Sequence, residues 1–581
     1  MARRPQLDAA RGPGRCRLTA AILLFVGLLA APFVSARAQD QPPDTARLAA
    51  ARAAFDAGRF AEAAKLAQGP VSQSPDLDYV AGLALARLKR WSEAKDELES
   101  GRRKAPGDAR FPTELAGIAY KQANRKEAKR DLRSALRLKG QDPYAREFLA
   151  TIFLLEGNLD AALKYWNPIG KPRLRSVTLD PRPKLRQELL AGAVTFNAPQ
   201  VLTIGAAEDT EARLANLGIF PHQRLELAAA SAEYDATLHL SERGGLGDSW
   251  LDGAVSLFSG LPYDTLYPEW YNVAHRAINF KSLVRWDSQK RRYSAELSLP
   301  VFDDPRLRLR AYADARNENW NLSETLSASG ASLTDLNMRR VAGGAEFRSV
   351  VTGRWSWKAG IEMAHRDFRN LGGGGAEPGP LFTGSNSVAS WLGAERTLLR
   401  IPENRFTLNT SAEIRSGRFF NATLGPFAKA RAGLRADWFP RANGDDFEMQ
   451  AQVRAGATAG KVALDELFQL GLERDNDLWL RGQPGTLDGR KGAAPLGRRY
   501  FLVNWEMDKD LYRGAFFNLK LGPFLDNGAI ADSSGVLGSR RWLLDLGAQC
   551  KVRVLGSATV ILSYGHDLRG GRSVYYGTVL R

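Results

Sequence analysis

Apolar positions change their spacing twice along the chain. Over about 45–168 they recur at helical spacing in segments broken by short polar turns. From Pro172 to about 243, short alternating segments bracket two helical ones. From about 249 onward, brief runs alternate apolar with polar or charged residues, as at 293–299, 307–313, 406–410 and 559–564, separated by turn-rich loops. Strict alternation puts every second side chain on one face of a strand, whereas spacing of three and four puts a stripe on one face of a helix. The pattern predicts a multidomain chain: a helical solenoid at 45–170, a small α+β module at 171–243 and an antiparallel β-barrel at 249–581. At about twenty residues per strand and connection, about sixteen strands fit the last region.

The helical region is repetitive. Gly58-Arg59-Phe60-Ala61-Glu62-Ala63 is echoed at Lys89-Arg90-Trp91-Ser92-Glu93-Ala94, at Ala123-Asn124-Arg125-Lys126-Glu127-Ala128 and at Gly157-Asn158-Leu159-Asp160-Ala161-Ala162. The closing alanines lie 31, 34 and 34 residues apart. Small residues Gly82, Ala116 and Ala150 fall where paired helices would cross, and Pro75 and Pro106 where a unit should end; Pro143 comes later in the third unit, which also has Arg125 in place of an aromatic residue. The period resembles the tetratricopeptide repeat. That resemblance implies a concave surface for extended peptides or partner domains, such as periplasmic chaperones or accessory proteins, with a plain spacer as the alternative.

The module at 171–243 reads strand (174–179), helix (183–193), helix (208–217), strand (225–227), strand (236–240), with Leu217-Gly218-Ile219-Phe220 closing the second helix and Asp235 and Arg243 marking its end. This order, directly before a barrel, resembles a polypeptide-transport-associated (POTRA) domain. The resemblance implies an exposed sheet edge able to accept an extended client as an added strand.

In the strand-rich region, Leu480-Arg481-Gly482-Gln483-Pro484-Gly485 lies in a long Gly-rich loop at 470–499, and Phe524-Leu525-Asp526-Asn527-Gly528 follows on a strand. Together they resemble the lid loop and partner strand of BamA/TamA-type outer-membrane barrels. The resemblance implies that the loop folds into the lumen and that Arg481 pairs with Asp526, since a lone guanidinium inside a barrel needs a carboxylate. Gly482 and Gly485 are expected to let the tip turn tightly. The third tip position, aromatic in the family, is Gln483 here, which departs in tip packing but not in the ion pair. The last strand alternates Val574, Tyr576, Thr578 and Leu580, resembling a barrel sorting signal, although it ends in Leu580-Arg581 rather than an aromatic residue. A first barrel strand is expected within 248–259, closing against that last one. Trp250, Trp270, Tyr271, Trp286, Trp320, Trp355, Trp357, Trp391 and Trp438 are expected at interfacial girdles.

The remaining features bound where the chain works. Arg3, Arg4, Arg11, Arg15 and Arg17 precede an apolar run at 18–34 and then Ala36-Arg37-Ala38, which reads as a secretory signal peptide at 1–38. Its removal takes Cys16 and leaves Cys550, so no internal disulfide is expected. The net charge of +17 is scattered among acidic residues and reads as solvated surface, with contact to anionic outer-membrane lipid headgroups as the functional alternative; the export signal argues against nucleic acid. The five histidines lack metal-ligand spacing, Gly247-Asp248-Ser249 has no suitable base, and Gly456-Ala457-Thr458-Ala459-Gly460-Lys461 has Val462 where a phosphate loop needs Ser or Thr. No catalytic residue, metal or cofactor is expected. The glycine run 372–375 reads as an external loop. The function expected is assembly or translocation of client polypeptides at the bacterial outer membrane, with the N-terminal domains in the periplasm. The alternatives are a polysaccharide-export barrel carrying a repeat scaffold, or a passive porin or receptor.

Overall fold

The computed structural model describes residues 44–580 apart from 70–72, 244–245, 247–252, 255–256, 259, 327–332, 372–378, 442–445, 515–516, 533–535, 538–539 and 555–557. The expected signal peptide, Cys16, Gly247-Asp248-Ser249 and the glycine run therefore lie outside the described residues. Two compact units emerge, one ending at Lys104 and the other running from Ala105 to Arg581.

The first unit holds two helix pairs, α1 (Asp44–Asp56) with α2 (Phe60–Ala67) and α3 (Pro75–Arg87) with α4 (Trp91–Lys104). Pro75 opens α3, where its missing N–H costs nothing. Gly82 lets α3 and α4 approach: a Cβ there would stand 2.5 Å from Leu98 Cγ. The second unit continues with α5 (Arg110–Lys121), α6 (Arg125–Leu138), α7 (Pro143–Leu155) and α8 (Leu159–Trp166). Asn124, Asp142 and Asn158 cap α6, α7 and α8 by accepting backbone N–H groups. The first residue of each repeated motif, Gly58, Lys89, Ala123 and Gly157, takes a left-handed φ of 60–76°. Two of the four are not glycine, and they hold a conformation that L-residues adopt at a cost.

The α/β module follows as β1 (Leu174–Asp180), α9 (Gln187–Ala193), α10 (Ile204–Leu217), β2 (His222–Ala230) and β3 (Glu233–Ser241). The sheet order is β1-β3-β2, with β1 parallel and β2 antiparallel to β3, so β1 and β2 are its edges. The helix predicted from Pro183 starts only at Gln187. The Lys184 N–H donates to Glu242 (2.7 Å) and the Arg186 N–H to the His275 carbonyl (2.8 Å), so these donors serve contacts outside a helix. The other helix starts earlier than predicted, at Ile204, because Thr203 caps it through the Ala206 N–H.

The rest is one large antiparallel sheet with a circular order. Among the described residues eighteen strand segments belong to it. Thr486–Leu487 and Arg490–Lys491 form a hairpin in a loop. Thr265–Leu266 and Glu269–Val273 both pair with Ile278–Arg285 and make one interrupted strand. Among the described residues this makes fifteen wall strands, where about sixteen are expected for the whole region. The expected first strand at 248–259 falls mostly outside the described residues, and the four described there, Gly253, Ala254, Leu257 and Phe258, are helical. The last strand, Ser573–Leu580, instead neighbours Thr265–Leu266.

Polarity in the sheet is inverted relative to a water-soluble core. Ile361, Met363, Leu392, Ile414, Leu546 and Leu562 face outward and are exposed, whereas Arg285, Glu318, Arg366, Asp526 and Asp545 are buried inside. Trp355 and Trp438 are exposed, as a girdle requires, but Tyr271, Trp320 and Trp391 are buried. For Trp391 the cause is strand parity: it shares the inward face with Ser387 and Ala389, and its indole N–H donates to Glu346 (2.9 Å). Trp250 lies outside the described residues. No described helix is long and apolar enough to cross a membrane.

One end of the sheet carries the α/β module and the α7–α8 pair. The α/β module touches three successive turns: Asn272 donates to the Lys184 carbonyl (2.6 Å), Asn216 to the Pro305 carbonyl (2.9 Å), and Arg354 grips Glu208 (2.8 and 3.0 Å). The α7–α8 pair sits on the turn Pro402–Asn404. Asn158 donates to the Pro402 carbonyl (2.8 Å), Lys164 and Tyr165 reach Glu403 (2.6 and 2.9 Å), and Arg400 bridges Asp160 and Glu208.

Candidate functional site: a loop docked inside the barrel

The strands Phe447–Gly460 and Arg499–Arg513 pair directly, from Phe447 opposite Lys509 to Ala457 opposite Arg499. The chain between them leaves the wall and returns to the same place, folding inward as a lid. A short helical turn, Leu464–Glu466, is followed by the pair Phe468–Gln469 and Leu496–Gly497, then by the tip around Arg481 and the hairpin at Thr486–Lys491. Leu470, Leu478 and Leu480 pack against Tyr500, Leu502, Ile530 and Leu543 on the wall. This apolar seat explains why a polar, glycine-rich loop stays folded in a charged interior: its leucines leave water while its ionised groups find partners.

Arg481 and Asp526 come together. The guanidinium is 3% exposed and Asp526 wholly buried. Arg481 Nε and Nη2 donate to the two Asp526 oxygens at 2.8 and 2.7 Å, and its backbone N–H adds a third bond at 3.0 Å. Its other nitrogen donates to Glu506 (2.8 Å) and Gln549 (2.9 Å). The planar group also stacks on Phe524, 3.8 Å from the ring centre. The aromatic contact that Gln483 cannot give within the tip is thus supplied from the wall. Gln483 itself turns its amide toward Asp545 (3.4 Å).

Gly482 lies in the tight turn Leu480–Gln483, closed by the Gln483 N–H donating to the Leu480 carbonyl (3.1 Å), but the turn needs no left-handed backbone. Neither Gly482 nor Gly485 has a positive φ. They are needed for proximity: a Cβ on Gly482 would meet the Asp545 carboxylate at 2.7 Å, and one on Gly485 the Leu472 carbonyl at 2.5 Å. The Gly482 N–H donates to Asp545 (2.6 Å). Gly528 seats Leu480, with a Cβ position 3.0 Å from its methyl group. Of the C-terminal residues, Tyr576 and Thr578 face inward, and Tyr576 meets Trp479 of the lid edge-on at 6.3 Å. Val574 shares their parity, and the Leu580 side chain lies outside the described residues.

Two further ionic anchors hold the lid. At its base, Asp465 pairs with Arg340 (3.0 Å) and Arg366 (2.9 Å), and Glu466 with Arg415 (3.5 Å). In its middle, Asp475 gathers Arg285 (2.9 Å), Arg292 (2.6 Å) and Lys491 (3.3 Å), while Glu473 reaches Lys290 (3.4 Å). Sequence reasoning singled out none of these acids. Asp465 and Asp475 precede the tip motif in a loop with no periodicity, and their partners lie up to 190 residues away. Glu506 left a weak signal, sharing inward parity with Asn504 and Asp508 on its strand.

No family model matches the chain, and no curated protein matches it. Solved structures do. CdiB from Escherichia coli matches with a TM-score of 0.43 and 12% identity, over 71% of this chain and 75% of that one. BamA from Haemophilus ducreyi lacking POTRA domains 1–3 matches with a TM-score of 0.40 and 10% identity, over 70% and 85%. MamA matches 22% of this chain and 75% of its own, with a TM-score of 0.21 and 16% identity.

Beneath the docked tip lies a chamber of about 880 Å³, reaching from Arg481 and Trp479 to His222 and Arg224 of the α/β module. Its wall mixes signs: Lys551 pairs with Glu506 (2.7 Å) and Asp508 (2.6 Å), and Lys520 with Glu448 (2.8 Å). The chamber is lined largely by charged and polar side chains, with Trp479 and Ile561 among them, and lies between the lid and β2.

Proposed function

We propose that this protein belongs to the BamA/TamA-like superfamily and carries client polypeptides into or across the bacterial outer membrane. The observation that carries the reading is the lid: a loop folded into a sheet that is apolar outside and charged inside, held by the buried pair Arg481–Asp526. An exterior of exposed aliphatic side chains suits a closed transmembrane barrel in lipid, where every backbone group must be paired. In this reading the α/β module acts as a POTRA domain in the periplasm, and its edge strand β2 aligns an extended segment beside the chamber. The helix pairs act as tetratricopeptide repeats that recruit clients or periplasmic chaperones. The strand Ser573–Leu580 is the sorting signal, and the basic surface meets anionic lipid. No cofactor takes part; strand pairing and client folding drive transfer.

The test is quantitative proteomics of outer membrane and medium after depletion, with surface polysaccharide assayed in the same cells and rescue by wild type or Arg481→Ala. Loss of a few barrel, surface or secreted proteins, restored by wild type but not by the variant, is the expected result. An intact proteome with lost polysaccharide overturns it in favour of the exporter. An intact proteome with altered permeability to small solutes overturns it in favour of a porin.

A further inference from the structure

Where the α/β module, α8 and the turn Pro402–Asn404 meet, they leave a cleft of about 440 Å³. Gln223, Arg224 and Leu225 of β2 border it in succession. Side chains alternate faces along a strand, so three consecutive residues at one border place the strand's edge there. β2 pairs with β3 on one side, and the other edge is free to take a partner. Leu214 of α10 supplies apolar surface on the module's side of the cleft, and Pro402 and Phe406 supply it on the barrel's. Arg224 also borders the chamber beneath the lid, so cleft and chamber adjoin along β2.

The cations around this cleft are engaged. Arg400 bridges Asp160 and Glu208, Arg224 pairs with Glu226 (3.0 Å), and Arg405 donates to the Glu156 carbonyl (3.1 Å). Glu211, one turn along α10 from Glu208, differs. Its backbone carbonyl accepts from the Gln223 amide (2.8 Å), but among the described residues its carboxylate has no hydrogen bond or ion pair, and its side chain opens on the cleft. Desolvation by the surrounding protein raises its pKa; Arg400 opposes the rise, and Asp160 and Glu208 add to it. A carboxylate in that setting gains most from a cation that arrives with apolar surface of its own. Lysine and arginine bring both, a hydrocarbon stem to lie on leucine and phenylalanine and a charged tip to donate.

We propose that Glu211 is a specificity-determining residue, selecting extended segments that carry a lysine or arginine where they face the cleft. A segment added along the β2 edge sends alternate side chains to one face, and such pockets, rather than the backbone pairing, tell one segment from another. The inference rests on the reading of β2 as the edge that aligns clients, and adds which clients it favours.

The test is fluorescence anisotropy of purified full-length protein in detergent with labelled peptides that alternate serine and valine and differ only at the central position, which is lysine, norleucine or glutamate. The lysine peptide should bind roughly tenfold more tightly than the norleucine one, the worth of one charge-assisted hydrogen bond. Glu211→Gln should abolish that preference without weakening the norleucine peptide, and Glu211→Lys should turn it toward glutamate. Equal affinities for the peptides in the parent protein, as when water or lipid headgroups alone fill the cleft, overturn the inference and leave edge capture standing. A lysine preference that survives in Glu211→Gln and Glu211→Lys overturns it as well. Binding of no peptide overturns both the edge alignment and the inference built on it. The depletion experiment reads transport in cells, so its outcome is separate from this one.

Discussion

Replacing Arg481 with alanine strips Asp526 of its cation while leaving the carboxylate wholly buried. What remains to Asp526 is the Arg481 backbone N–H (3.0 Å) and the Asn504 amide (2.7 Å), both neutral donors. Glu506 keeps Lys551 as a partner (2.7 Å), so most of the penalty falls on Asp526. Removing one member of a buried pair costs roughly 3–5 kcal/mol. At about 1.4 kcal/mol per tenfold, the ratio of docked to released lid should fall by roughly two to three and a half orders of magnitude. Hydrogen exchange reads this directly. Amides of the lid at 470–497 should lose protection by about a hundredfold or more, while those of the strands Phe517–Ala531 and Arg540–Val554 keep theirs, and transport should fall with the barrel still assembled. Arg481→Ala/Asp526→Ala removes the stranded charge and should recover much of the loss. Parental protection in Arg481→Ala, or a double variant as exposed as the single one, would refute the assignment of Arg481–Asp526 as the pair that holds the lid.

Other expectations follow from the same geometry. Gly482→Ala puts a methyl group 2.7 Å from the Asp545 carboxylate without any dihedral strain, and should weaken lid docking by roughly 1–3 kcal/mol, seen as faster exchange at the tip. Arg400→Ala leaves Glu208 with Arg354 but deprives Asp160 of its partner; exchange at the start of α8 should rise several-fold while the lid is unaffected. Gly82→Val drives a side chain into Leu98 and should cost α3–α4 roughly 1–3 kcal/mol, visible as early loss of helical signal on heating. A variant in which exchange in α3–α4 stays parental would show that the two helices have room to part there.

The periodicities made the classes of element legible, because alternation and helical spacing are set by geometry within a few residues. The repeated motif also marked positions that share a left-handed turn, Gly58, Lys89, Ala123 and Gly157, although neither lysine nor alanine advertises that conformation. Boundaries failed where a backbone group had a distant partner, as at Lys184 and Arg186, since nothing local shows that their N–H groups are engaged elsewhere. Aromatic residues were assigned to girdles by type, yet Trp391 follows its strand's parity and turns inward. Arg481 and Asp526 could be read because each sits in a short motif. Asp475 and Asp465 could not, for a carboxylate in an irregular loop looks alike whether it faces water or three cations. The tip glycines were recognised and Gly482 does lie in a tight turn, but the room they make for Asp545 and the Leu472 carbonyl resides in the fold.

The docking of α8 on the turn Pro402–Asn404 has a mechanical consequence. Counted round the ring, the strands Ser385–Ile401 and Phe406–Phe419 that flank this turn lie about halfway from Ser573–Leu580 in either direction. The helices are fastened to the spine of a book whose covers meet at Ser573–Leu580. Under the proposed function, a wall that parted at Ser573–Leu580 would move the turn Pro402–Asn404 least, so α8 would keep its bearing on that turn.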